Sequence, residues 1–303
     1  MGNLQYNDIK KIPKTNGYIS YKKNMATLTW LKAGGIADIF FIPADILDLK
    51  SFLTKLNFNI PIFILGAGSN TLFRDNGFKG IVIKLGKNFD YYNIIDDKNI
   101  CVGAATNCIK LSRVLAKEGI SGLEFFSGIP GTVGGAIKMN AGAYGNDTSQ
   151  YISKIKVINR RGEVKVIEAK DYEMNYRETN FPNDYIFLEA YFNYHKRSPD
   201  INLNNIKNLN NIRKKTQPIK EKTSGSTFRN TENNKAWKLI QESGCKRYSV
   251  GQAAISDLHS NFIVNKGGAS SNEIEELGEK VIKKVYDKFG IKLIWEIKII
   301  GNK

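Results

Sequence analysis

Cysteine and histidine are scarce in this 303-residue chain, and their scarcity removes whole classes of chemistry. Cys101, Cys108 and Cys245 are odd in number and lack metal-ligand spacing, with only His195 and His259 beside them. A disulfide scaffold and a structural zinc site are both disfavoured, and a reducing environment fits. No apolar run approaches the roughly 20 residues that a bilayer span requires. Lys10, Lys11, Lys14, Lys22 and Lys23 near the start are not joined to the apolar core of a signal peptide. Low-complexity blocks and convincing internal repeats are missing as well. A cytoplasmic protein is expected, without a metal and without membrane insertion.

Acidic residues are also in deficit: 29 Asp and Glu face 45 Lys and Arg, a formal charge of +16. Such a balance invites a nucleic-acid reading. The lysines, however, are spread along the whole length among Asn and Ile and form no basic arm. A solvated Lys-rich surface explains them better, and a diffuse field that attracts phosphorylated small molecules is the third option. No nucleic-acid partner is expected. With 42% hydrophobic residues the chain is ordinary globular material, long enough for two or three domains.

Periodicity organises it further. Ile39 to Ile42 is β-prone and ends at Pro43, while Ile46, Leu47, Leu49, Phe52, Leu53 and Leu56 recur at helical spacing. Residues 61–65 and "GIVIKL" (80–85) read as further strands of a small α/β domain over roughly 20–85, preceded by about 20 polar residues that are irregular or a short helix. "DYYNIIDDKNICVGAAT" alternates around Asp96-Asp97-Lys98-Asn99 and reads as a hairpin. "CIKLSRVLAKEGI" reads as an amphipathic helix closed by Gly119. "KIKVINRRGEVKVIEA" is a second hairpin turning at Arg161-Gly162, and 185–194 is one more strand. The Asn- and Lys-rich stretch 199–216 is a polar helix or connector and the best candidate boundary. Beyond it lie helices in "AWKLIQESG" and "SSNEIEELGEKVIKKVYDKFG", the latter capped by Ser270 or Ser271, and a closing strand "LIWEIKIIG".

Two glycine-rich stretches carry the functional signal. Gly66-Ala67-Gly68-Ser69-Asn70-Thr71 imitates a dinucleotide fingerprint but has Thr71 where the third glycine belongs, and no long crossover helix is expected after it. Neither stretch is a phosphate loop of the Gly-Lys-Ser/Thr kind. In "GIPGTVGGAIKMNAGAYG" six glycines fall within 18 residues. Turn packing accounts readily for two or three of them, whereas close approach to a ligand accounts for more. Backbone N–H groups in such loops can hold an anion. One long ligand such as FAD could span both loops.

"LTWLKAGGIADIFFIP", "ILGAGSNTLFRDNGFKGIVIKL", "GLEFFSGIPGTVGGAIKMNAGAYG", "YRETNF", "SGSTFRN" and "WEIKIIG" occur in this order. Together they resemble the UDP-N-acetylenolpyruvoylglucosamine reductases over about residues 25–303. The resemblance implies an α+β fold with a two-subdomain FAD-binding module of the vanillyl-alcohol-oxidase-like type and a C-terminal α+β substrate domain. It implies an N-terminal extension (1–20), FAD-binding subdomains at 21–86 and 87–198, and a substrate domain at 199–303. Strand 185–194 follows Phe181 almost at once, which leaves no room for an inserted loop and suggests the shorter, type II form. FAD is the implied cofactor, NADPH the co-substrate and a UDP-sugar the substrate, in a monomer. As FAD contacts it implies Gly66, Ala67, Gly68, Ser69, Asn70 and Thr71 from the first loop. From the second it implies Gly128, Ile129, Pro130, Gly131, Thr132, Gly134, Gly135, Ala136 and Ala141.

Three side chains match the family's catalytic positions. Arg177, in "NYRETNF", would grip the substrate carboxylate, although alone it reads as an exposed arginine beside a turn. Thr179 stands where the family has serine. Ser226, in "TSGSTFRN", would donate a proton, although alone it reads as a turn serine next to Gly225; a hydrolase reading lacks the required strand–elbow–helix context. Thr231 replaces the usual proline after Asn230. Glu296 would help handle the proton, yet alternation in "LIWEIKII" places it with Lys298 on a face that reads as solvated. Tyr176 and Asn230 are implied substrate contacts. An FAD-dependent sugar or alcohol oxidase of the same superfamily shares the glycine loops and is the alternative.

Overall fold

The computed structural model describes residues 12–303, so the expectation for the first 20 residues falls partly outside it. β1 (Tyr18–Asn24) and β2 (Ile36–Ile42) come first. Asp45 then caps α1 (Ile46–Lys55), its carboxylate accepting the Asp48 N–H at 2.8 Å, and the helical spacing buries Leu49, Phe52 and Leu53. β3 (Ile62–Ile64), β4 (Thr71–Phe73) and β5 (Phe78–Ile83) follow. β6 (Tyr92–Ile94) and β7 (Asn99–Gly103) form the expected hairpin, closed by the Asp96 carboxylate accepting the Lys98 and Asn99 N–H groups at 2.8 Å each. Asn107 caps α2 (Cys108–Lys117), and Thr132 caps a short α3 (Val133–Lys138).

β8 (Ile152–Ile158) and β9 (Val164–Glu168) make the second hairpin, with Gly162 at φ +76 in the turn, where a side chain would be strained. After β10 (Ile186–Asn193), the Asn-rich stretch is a single helix, α4 (Pro199–Thr216). α5 (Ala236–Glu242), β11 (Ala253–Ile255) and β12 (Ile263–Asn265) lead to α6 (Ser271–Phe289). Ser270, not Ser271, caps α6 in a reciprocal box with Glu273, and Gly290 at φ +69 ends it. The closing strand is shorter than its alternation suggests. Only β13 (Lys298–Ile300) is regular, since it is what pairs with β4, in parallel; Trp295 adds one isolated bridge.

Two compact units result, and both are α+β. Of the described residues, the first takes 12–21, 39–67 and 80–212; the second takes 22–38, 68–79 and 213–303. The first unit holds two buried cores. One packs α1 against Ile39, Phe41, Ile81 and Ile83, with the Phe41 and Phe52 rings stacked at 4.1 Å. The other lies between α2 and one face of the five-stranded antiparallel sheet β9-β8-β10-β7-β6. In the second unit, α5 and α6 cover the antiparallel sheet Lys222–Thr223, β12, β11, Ser249–Val250, with Leu31 and Leu72 in the same core.

Gly278 of α6 shows how tight that core is. A Cβ there would meet Trp295 Cη2 at 2.0 Å, and the indole is fixed by its Nε1 donating to Glu279 Oε1 at 3.0 Å. Gly278→Ala is therefore expected to destabilise the protein by about 1–3 kcal/mol, read as a lower denaturant midpoint. Among the described residues no helix is long and apolar enough to cross a membrane, and no cluster of His, Cys, Asp or Glu could hold a metal ion. The three cysteines are buried free thiols; desolvation pushes that of Cys101 up to about 11.

Candidate active site

The main cavity belongs wholly to the first unit and measures about 560 Å³, within the usual range for a small-molecule site. It opens at the carboxyl ends of β3 and β5, parallel neighbours paired as Ile62↔Ile81 and Ile64↔Ile83. Gly66, at the end of β3, and Thr132, Gly134 and Gly135, at the start of α3, all line it. A Cβ on Gly66 would come within 2.7 Å of Thr132 Oγ1, so the first unit's end of one glycine loop and the other loop meet at this wall. Leu65, Leu85, Ile186 and Phe187 supply apolar surface, and Lys84, Lys87, Lys138 and Asp90 supply charge.

Several glycines of the second loop have packing duties. Gly128 leaves room for the Tyr144 ring, Gly134 for Ala104, and Gly142 for Asn146 and Asp147. The first N–H groups of α3 are also engaged: Val133 donates to Thr106 O at 2.9 Å, Gly134 to Ala104 O at 2.9 Å and Gly135 to Thr132 Oγ1 at 3.3 Å. The Gly135 wall stays open, because a Cβ there meets only Thr132 Oγ1, at 3.4 Å. Gly128, Ile129, Pro130, Gly131, Ala136 and Ala141 are not part of the cavity lining; Ala136 is core, and Gly131 O accepts the Cys108 N–H at 3.0 Å. Ala67 likewise stays out of the lining.

The rest of the first loop lies in the second unit. Gly68, at φ +68, passes so close to Leu28 that a Cβ would sit 2.2 Å from its carbonyl oxygen. Ser69 follows it, and Thr71 is buried as the first residue of β4. A strand, not a helix, thus follows the loop, which accounts for the missing third glycine. Asn70 Nδ2 donates to Glu296 O at 3.0 Å, and Asn70 O accepts the Lys298 N–H at 3.0 Å.

Glu296 belongs to a short ladder in that unit, and Ser226 immediately precedes the ladder's other segment. Phe228 bridges Trp295, Glu296 N–H donates to Thr227 O at 2.8 Å and Arg229 N–H to Ile294 O at 2.9 Å. Asn261 locks the outer side: its O accepts the Thr227 N–H at 2.7 Å and its Nδ2 donates to Phe228 O at 2.8 Å. Both Ser226 and Glu296 are partly exposed. Asn230 Oδ1 accepts the Ala236 N–H at 2.9 Å and so starts α5. Thr231 donates its N–H to Asn234 O at 3.0 Å, a bond that proline could not make, so the loop is closed by different means.

Arg177 belongs to the first unit, in a two-residue hairpin turn with Tyr176 between the Met174–Asn175 and Glu178–Thr179 strands. Its φ is +58, its guanidinium lies 4.9 Å from the Tyr176 ring centroid, and Nη2 donates to Gly142 O at 2.9 Å. Thr179 Oγ1 donates to Lys138 O at 3.1 Å, which is the use made of the retained hydroxyl. Buried Asn140 was not singled out by the sequence. Its Nδ2 donates to Met174 O at 3.0 Å and Asn175 O at 3.2 Å, while Oδ1 accepts the Ser149 N–H at 2.9 Å. Asn140→Ala is expected to lower the unfolding free energy by about 1–3 kcal/mol in a denaturant titration.

Comparison with known proteins defines first a class. A family model described as "FAD binding domain" matches residues 37–168, so this is an FAD-binding protein, and the cavity with its glycine walls and surplus of lysines fits that cofactor. A second model, "UDP-N-acetylenolpyruvoylglucosamine reductase, C-terminal domain", matches 217–300. A reductase of that name from Orientia tsutsugamushi (strain Ikeda) is 43% identical over 298 residues, covering 96% of this chain and 97% of that protein. One from Rickettsia prowazekii (strain Madrid E) is 44% identical over 93% of this chain and 96% of its own. The crystal structure of the Thermus caldophilus reductase (MurB) superposes with a TM-score of 0.82 at 30% identity, covering 95% of this chain and all of that one. The chain belongs to the UDP-N-acetylenolpyruvoylglucosamine reductase family. These relatives support the reductase reading and not the oxidase alternative.

Proposed function

We propose that the protein reduces UDP-N-acetylglucosamine enolpyruvate to UDP-N-acetylmuramate with NADPH, in peptidoglycan precursor synthesis, acting as a cytoplasmic monomer. The observation that carries this reading is the 43% identity to a reductase of that name across 96% of the chain. Residues 21–86 and 87–198 are proposed to hold FAD, and 199–303 the UDP-sugar, with the two glycine loops as cofactor contacts. Bound FAD supplies the hydride relay between NADPH and the enolpyruvyl double bond. The protein's own task is charge and proton management. Hydride arriving at C3 of the enolpyruvyl group drives electron density onto C2 and its carboxylate. Arg177 is proposed to hold that carboxylate in two parallel hydrogen bonds, and the Ser226 hydroxyl to deliver the proton to C2. Glu296, whose N–H donates to the carbonyl of Thr227, the residue after Ser226, supports the proton transfer, and Tyr176 and Asn230 contact the substrate.

The test is direct. The purified protein is expected to show a flavin spectrum, after reconstitution with FAD if necessary, and to oxidise NADPH in a manner dependent on UDP-N-acetylglucosamine enolpyruvate. A colourless protein that takes up no FAD sinks the reading, and flavin without substrate-dependent turnover returns the oxidase.

A further inference from the structure

Lys84 stands one residue beyond β5, at the carboxyl end of a parallel strand pair, where ligands of open α/β sheets bind. Leu65 N–H donates to Ile83 O at 2.8 Å, which sets the two strand ends level, and Lys84 N–H donates to Phe41 O at 2.9 Å, which fixes the lysine's backbone. From there its Nζ reaches across to Gly66 O at 2.6 Å while the residue lines the 560 Å³ cavity. An ammonium carries three donors, and among the described residues Gly66 O is the acceptor that it meets. Burial disfavours its charged form and lowers its pKa from the usual lysine value. A carbonyl alone compensates a half-buried cation poorly; an anion in the cavity would compensate it well. The rest of the lining agrees, since Lys87 and Lys138 outnumber Asp90 and the Gly135 wall presents no side chain.

We infer that Lys84 is the cation that pairs with the diphosphate of the bound dinucleotide and ties it to the Gly66 carbonyl. This rests on the reading that the cavity holds FAD. It assigns the lysine a ligand contact where the alternative is a strut that merely braces the Gly66 turn.

The two roles separate when ligands with and without a diphosphate are compared. Full-length protein stripped of flavin is titrated with FAD and with riboflavin, which keeps the ring system and lacks the diphosphate. Lys84→Met is expected to weaken FAD by about tenfold or more. It should leave riboflavin affinity unchanged and flatten the dependence of FAD affinity on salt. Equal loss for both ligands means that the lysine only braces the turn, and unchanged FAD affinity also overturns the assignment. Wild-type protein that binds neither flavin overturns the cofactor reading along with it. Should Lys84→Met not fold, as judged by far-UV circular dichroism, Lys84→Gln removes the charge and retains a donor, and the same two titrations decide.

Discussion

Ser226→Ala is expected to leave bleaching of the bound flavin by NADPH at its wild-type rate. The same change should slow substrate-dependent recovery of the flavin colour by about 10²–10⁴-fold. Stopped-flow absorbance reads the two phases separately. The asymmetry follows from the role: a proton donor to C2 has nothing to do until the enolpyruvyl group is reduced. The local structure supports a clean substitution. Gly225, at φ +78, sets the turn before Ser226, and Thr227 is locked by its N–H donating to Asn261 O at 2.7 Å and its Oγ1 accepting the Ile263 N–H at 3.1 Å. Removing one hydroxyl from a partly exposed position in so fixed a segment should leave the fold alone. Comparable losses in both phases would remove the donor role from Ser226.

What could be read from the sequence was mostly local. Helical spacing located α1, the Asp96 turn located the β6–β7 hairpin, and the Ser270 and Glu273 pair located the start of α6, because each is decided within a few residues. Long-range pairing was not legible. The alternation of "LIWEIKII" runs past the strand, since a strand is defined by its partner and β4 is three residues long. The same blindness hid the ladder that sets Glu296 beside Thr227, two segments about 70 residues apart. Packing accounts for three glycines of the cluster, Gly128 against Tyr144, Gly134 against Ala104 and Gly142 against Asn146, while Gly134 and Gly135 also line the cavity, a division that spacing alone does not reveal. Lys84 and Asn140 gave no signal, because a lysine at a strand end reads as solvated and an asparagine among glycines reads as a turn.

Arg177 should prove as sensitive as Ser226, and its backbone offers an independent check. Arg177→Ala is expected to lower the substrate-dependent phase by about 10²–10³-fold, as loss of a preorganised cation facing developing charge does. Arg177→Lys should recover little of it, because a point charge cannot make two parallel bonds to a carboxylate while reaching Gly142 O. A non-glycine residue at φ +58 in a two-residue turn costs about 1 kcal/mol. Arginine offsets that cost through Gly142 O and the Tyr176 ring; alanine has neither contact and keeps the strain. Arg177→Gly has neither contact and no strain. The glycine variant should therefore unfold at higher denaturant than the alanine variant by about 1 kcal/mol, while both are equally impaired in catalysis. Such a pair, split in stability and matched in activity, would mean that the left-handed turn is maintained for the guanidinium it carries. Equal stability would mean that the turn relaxes in solution, and the assigned orientation of Arg177 would fall with it.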